Sequence, residues 1–134
     1  MCGIIGVTGV PDAARVAYLG LYSLQHRGQE SAGMVVVNGE GVARSHRGMG
    51  LVSDVFSERV LSELPGDVAI GHARYSTAGT SVLANAQPML AGYREGPLAL
   101  AHNGNLTTLS SCAPISSPKA PCSRARPTAK CWYI

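Results

Sequence analysis

Residues 1–108 predict one mixed domain of strands and helices. Three observations carry that prediction. Short apolar runs are cut at intervals by glycine and proline, one stretch repeats its apolar residues at helical spacing, and one pair of segments flanks a tight-turn signal. Cys2 to Thr8 is an apolar run ended by Gly9, Pro11 and Asp12, which reads as a strand followed by a helix start with proline near the first turn. From Ala13 the residues Val16, Ala17, Leu21 and Leu24 recur at helical spacing, and the pattern stops at Arg27-Gly28. Met34 to Val37 and Val42 to His46 flank Asn38-Gly39-Glu40-Gly41, a hairpin signal. Ser53 is placed to cap a helix containing Val55, Phe56, Val60, Leu61 and Leu64, closed by Pro65-Gly66. Val68 to Tyr75 and Pro97 to His102 read as further strands, with Leu98 and Leu100 on one face and Ala99 and Ala101 on the other.

A chain of 134 residues with 46% hydrophobic content suits one globular domain with a real core. The first residues lack a basic n-region and no apolar run approaches the length of a membrane span, so a cytosolic protein is expected. Cys2, Cys112, Cys122 and Cys131 show no CxxC spacing, and His26, His46, His72 and His102 show no HxxxH, which argues against a metal site. The net charge of +3 is not spread along the chain. Lys119, Arg124, Arg126 and Lys130 lie in an acid-free stretch after residue 108, while residues 1–108 carry seven basic and eight acidic side chains. The body is near neutral, and without interleaved aromatics on a basic face it does not read as a nucleic-acid binder. After Thr108 the sequence becomes a Ser/Pro/Ala/Cys/Arg mixture without period, so residues 109–134 are expected to be a disordered, aberrant tail.

The chemistry begins at Cys2. Removal of Met1, expected because the next side chain is small, leaves a thiol and a free α-amine on one residue. The amine's ordinary pKa of about 7.7 to 8.0 lets it take the thiol's proton near neutral pH. The competing reading is a buried cysteine acting as a small hydrophobe. Gly71 to Gly79 ends a strand in a small polar loop where Arg74 can grip a carboxylate with two parallel hydrogen bonds and Thr77 can add a hydroxyl. Arg74 equally suits bridging loop carbonyls or a surface acid. Asn103-Gly104 offers a side-chain amide beside an unobstructed backbone N–H, the pair an oxyanion hole needs, and is also a common tight turn. His102 reads as a structural histidine, since a nucleophile with its own amine needs no second base. Arg27 is expected to prop the nucleophile's loop rather than react, although His26 and Arg27 also complement a helix C-terminus.

Four segments, MCGIIG, LQHRGQESAG, AIGHARYSTAG with NAQP, and LALAHNGNLT, occur in an order and with a content that resembles the glutaminase domain of the class II glutamine amidotransferases. HRGQESAG with RYSTAG is similar to the form found in the amidophosphoribosyltransferases. The resemblance covers residues 1–108. It implies an α+β, N-terminal-nucleophile hydrolase fold: a four-layer αββα sandwich of two antiparallel sheets between helical layers, here incomplete at its C-terminal side. It further implies L-glutamine as substrate, Cys2 as nucleophile, Asn103 and Gly104 as the oxyanion hole, and Arg74 and Thr77 holding the glutamine backbone. No cofactor is implied in this segment. The ammonia would serve phosphoribosylamine formation in purine synthesis.

The family continues after HNGNLT with a helix and a TDSEV-like segment whose aspartate holds the glutamine α-amine, and with a phosphoribosyltransferase domain; neither is written here. Both are expected to be missing because of a reading-frame shift. Read from the third base of each tail codon, permitted codons from Leu109 give ELMRPDLLTQGALFQSPTDSEVLVH, which restores the motif at a natural distance. A weakly active or inactive fragment is then expected. Two other functions fit the residues less well: a different N-terminal-nucleophile amidohydrolase, and a small basic binding protein.

Overall fold

The computed structural model describes residues 1–76, 81–94 and 96–104. The tail and Thr77 lie outside the described residues. Residues 1–103 form one compact unit and Gly104 opens a second.

Four strands, β1 (Gly3–Thr8), β2 (Ser31–Val37), β3 (Ala43–Met49) and β4 (Val68–Arg74), form an antiparallel sheet in the order β1-β4-β2-β3. β4 is central, pairing Gly3 with Ala73 on one side and Ser31 with Arg74 on the other. A separate two-stranded ribbon joins β5 (Met89–Tyr93) to β6 (Gly96–Leu100). The sequence reading missed β5, whose five residues include Gly92 and lie between NAQP and the turn before β6. The hairpin between β2 and β3 forms as expected, because the Asn38 side-chain oxygen accepts from the N–H groups of Glu40 and Val42 at 3.1 and 2.9 Å.

The helix α1 (Ala13–Ser23) crosses one face of the sheet and buries Ala13, Ala14, Ala17 and Leu21. Val16, expected in that stripe, is instead 41% exposed. The residues at 13, 14, 17 and 21 complete the face on their own, and Val16 falls outside its arc. After Ser23 the chain tightens into a 3₁₀ turn over Gln25–Arg27.

The single helix expected from Ser53 is two shorter ones, α2 (Val52–Val55) and α3 (Glu58–Ser62). Phe56 breaks between them with an extended backbone while its ring stays buried at 3% exposure. The cap is Ser57, whose hydroxyl accepts from Val60 N–H at 3.4 Å, and not Ser53.

Alternation along the strands gives the sheet two different faces. Ala32, Met34, Val36, Ala69 and Ala73 join α1, α2 and Phe56 in the apolar core. The residues between them, among them Ser31, Gly33, Val35, His72 and Arg74, point away from that core. That second face receives the segment leading into β5. A side chain at Gly33 would collide with the Gln87 carbonyl, so glycine is what lets Gln87 approach the sheet. Among the described residues no helix is long and apolar enough to cross a membrane.

Candidate active site

The strand order brings the ends of all four strands together at one end of the sheet, where β3 finishes at Met49 opposite Ser31. β1 starts there, β2 starts there, and β4 ends there. Cys2 precedes β1, Glu30 precedes β2, and Tyr75 follows β4. Continuing the antiparallel register by one residue sets Cys2 opposite Arg74, the last residue of β4, and beside Tyr75, which follows it. The Cys2 thiol donates to the Tyr75 carbonyl at 3.5 Å, and its sulfur accepts from the Tyr75 N–H at the same distance.

Asn103, just after β6, completes the approach. Its Oδ1 accepts from the Cys2 backbone N–H at 3.1 Å, a contact that spans 101 residues of sequence. A side-chain amide bonded through oxygen directs its NH₂ elsewhere, so the same residue greets the nitrogen of Cys2 and keeps two donors for another group. Gly104 belongs to the second unit.

Cys2, Gly3, Ile4, Leu24, Arg27 and Asn103 line one cleft of about 210 Å³. Arg27 is held there by the 3₁₀ turn, and its Nη2 lies 4.0 Å from Met1 Sδ. Its Nε is buried with no partner among the described residues. Gln25 secures the turn, donating to the Gly28 carbonyl at 2.5 Å and accepting from Val52 N–H at 2.6 Å. Gly28 packs so closely on the Ala73 carbonyl that no Cβ fits. A larger hollow of about 300 Å³ lies between β3 and α3, lined by Arg44, His46 and Glu63 among others, and contains none of the candidate site residues expected from sequence.

Arg74 does not line the Cys2 cleft. Its Nε pairs with Glu30 Oε1 at 3.2 Å and its Nη1 donates to the Asn85 carbonyl at 3.1 Å, with the side chain 12% exposed. Glu30 also accepts from Ser76 N–H at 2.9 Å. Burial pushes its carboxyl up, but hydrogen bonds from Ser76, Ser81 and Arg74 outweigh this and hold it below the usual carboxylate range.

His102 takes part through its backbone. Its N–H donates to Gln87 Oε1 at 2.7 Å and its carbonyl accepts from His72 Nε2 at 3.2 Å. His72 is fully buried and its Nδ1 has no partner among the described residues. Facing a carbonyl, Nε2 must carry a proton, and because burial disfavours the charged form the ring is the neutral Nε2–H tautomer. Burial, partly opposed by the bond to His102 and aided by the charge of Arg74, pushes its pKa down to about 4. Three residues that sequence reasoning passed over therefore shape the site: Glu30, His72 and Gln87. All three sit inside motifs already singled out; nothing local marks them, because their partners lie 44, 30 and 15 residues away.

No family model matches the chain. It is 58% identical over 105 residues to amidophosphoribosyltransferase 2, chloroplastic, of Arabidopsis thaliana, covering 78% of this chain and 19% of that protein. It is 53% identical over 107 residues to the amidophosphoribosyltransferase of Lacticaseibacillus casei, covering 79% of this chain and 55% of that protein. Among solved structures, it superposes on glutamine phosphoribosylpyrophosphate amidotransferase from B. subtilis with a TM-score of 0.72 and 43% identity, over 83% of this chain and 23% of that one. A structure described as the allosteric regulatory enzyme of purine biosynthesis gives a TM-score of 0.75 and 46% identity, over 83% of this chain and 24% of that one. The chain thus spans about a fifth of the length of the plant relative. The expected α+β, N-terminal-nucleophile hydrolase fold is the one these structures share with it.

Proposed function

We propose that this chain, which matches the N-terminal part of amidophosphoribosyltransferases, binds L-glutamine at Cys2 and hydrolyses the side-chain amide, the reaction that supplies ammonia for phosphoribosylamine formation in purine synthesis. The observation that carries this reading is the pair of contacts at Cys2: its nitrogen on Asn103 Oδ1 and its sulfur against the Tyr75 backbone. Nucleophile, base and oxyanion donor then stand at one end of the sheet.

With Met1 removed, the Cys2 nitrogen is a free amine whose ordinary pKa, about 7.7 to 8.0, leaves part of it neutral and able to take the thiol proton near pH 7. Sulfur attacks the amide carbon. The carbonyl electrons move onto oxygen, where the Asn103 NH₂ and the Gly104 N–H stabilise them. The protonated amine gives its proton to the departing nitrogen and ammonia leaves. The amine then deprotonates a water molecule, which attacks the thioester, releases glutamate and restores the thiol. Arg74 and Thr77 hold the substrate's backbone groups, and Arg27 keeps the wall of the cleft in place. No cofactor enters these steps. The cytosol, where thiols stay reduced, suits them.

The test is glutamate release from glutamine by the purified chain, with intact mass confirming loss of Met1. Hydrolysis is expected for glutamine and not for glutamine amide, which lacks the α-carboxylate. Equal turnover of both would point to a different amidohydrolase. Glutamate release that persists in Cys2→Ala would refute the reading.

A further inference from the structure

Glu30 holds both neighbours of the residue that brackets the nucleophile. Its Oε1 accepts from Arg74 Nε at 3.2 Å and its Oε2 from Ser76 N–H at 2.9 Å. Its own N–H donates to the Arg74 carbonyl at 3.1 Å, and its carbonyl accepts from Gly50 N–H at 2.9 Å. Tyr75, between those two neighbours, meets the Cys2 sulfur through its backbone alone. We propose that Glu30 is a positioning residue that clasps Arg74 and Ser76 around Tyr75, so that one carboxylate aligns the substrate-carboxylate clamp and the backbone cradle of the nucleophile together. It acts through Tyr75 and Arg74 and touches neither sulfur nor substrate.

The geometry makes the clasp specific. Glu30 is one residue before β2, whose Ser31 pairs with Arg74 at the end of β4, so the sheet register brings the two residues to the same end of the sheet, where the Glu30 carboxylate closes on the guanidinium at 3.2 Å. With side chains 12% and 16% exposed, the pair is shielded from solvent, unlike the surface pairs of Arg15 and Arg59. A shielded carboxylate with several donors fixes the donors' directions. Glutamine at residue 30 keeps an acceptor for Ser76 N–H, but its NH₂ cannot accept from Arg74 Nε. Alanine removes both contacts.

This inference rests on the proposed role of Cys2, and the test separates the two. The chain with Met1 removed is treated with iodoacetamide across pH 6–9, and labelling is read peptide by peptide so that Cys2 is distinguished from Cys112, Cys122 and Cys131. In Glu30→Ala the rate at Cys2 near pH 7 is expected to fall about tenfold, as loss of the aligned Tyr75 N–H contact to the sulfur would give. In Glu30→Gln the labelling profile is expected to stay within about twofold of the parent, while the glutamine concentration giving half-protection against labelling rises about tenfold through Arg74. A parent-like profile and parent-like protection in both variants, with unchanged circular dichroism, would overturn the clasp. If Glu30→Ala does not fold, parent-like protection in Glu30→Gln overturns it alone. Glutamate release that survives Cys2→Ala would instead sink the role of Cys2 and leave the labelling comparison standing.

Discussion

Replacing His72 by glutamine isolates a titration that the fold suppresses. Glutamine can set its amide nitrogen where the imidazole Nε2 lies and so keep the donor to the His102 carbonyl, but it does not ionise. In the parent, burial holds the histidine pKa down to about 4, whereas the unfolded chain returns it to the ordinary value of about 6.5. As pH falls, the unfolded state takes up the proton first. The stability held by the neutral ring is therefore complete above about pH 6.5 and drains away between there and about pH 4. From pH 7.5 to 5.0 the parent should lose about 2 kcal/mol from this residue alone. Carboxylates titrating in the same range, Glu30 among them, are common to both proteins and cancel in the difference. The assay is urea denaturation followed by circular dichroism at both pH values. At pH 7.5 His72→Gln should be the less stable protein, and at pH 5.0 the gap should shrink by about 2 kcal/mol. A gap that changes by less than about 0.5 kcal/mol would show that the ring is not held neutral by burial.

Cys2→Ala, or retention of Met1, is expected to abolish glutamate release, with intact mass reporting the state of the N-terminus. Arg74→Ala should raise the glutamine KM much more than it lowers kcat, because a carboxylate clamp acts on ground-state binding; steady-state kinetics with the opposite split would reassign it. Asn103→Ala should lower kcat about a hundredfold at little cost in KM, since an oxyanion donor acts at the transition state. Gly28→Ala forces a methyl group onto the Ala73 carbonyl and should cost about 1–3 kcal/mol in the same denaturation assay, with Gly39→Ala, in open space, near neutral.

β1, β2 and β4 were legible because each is largely an apolar run with punctuation beside it, whereas the polar β3 was legible only from the turn that precedes it. The hairpin was legible because Asn38 writes its own turn. The helix break at Phe56 was not, since Phe56 fits an apolar helical stripe and only its burial against the sheet explains its extended backbone. Cys2 and Asn103 were singled out by residue type and do meet, at 3.1 Å. Arg74 was read as a free clamp or as a bridge to a carbonyl or an acid, and it bonds the Asn85 carbonyl and Glu30. Glu30, His72 and Gln87 stayed hidden because their work is done across strands. One residue's side chain holding another's backbone leaves no spacing in the sequence.

The corner that holds Cys2 occupies one pole of the main sheet, and the Asn38–Val42 turn occupies the other, since β2 runs its full seven residues from Ser31 to Val37 between them. At about 3.3 Å per residue that separation is roughly 20 Å. Lengthening the chain at the corner would shift one strand against another and exchange the inward and outward residues all along it. Lengthening it at Gly39-Glu40 would disturb a solvent-facing turn and nothing beyond. The two poles therefore differ in what they let the gene do: one holds its length fixed, and the other is where a tag, a linker or a reporter can be spliced in with the chemistry left undisturbed.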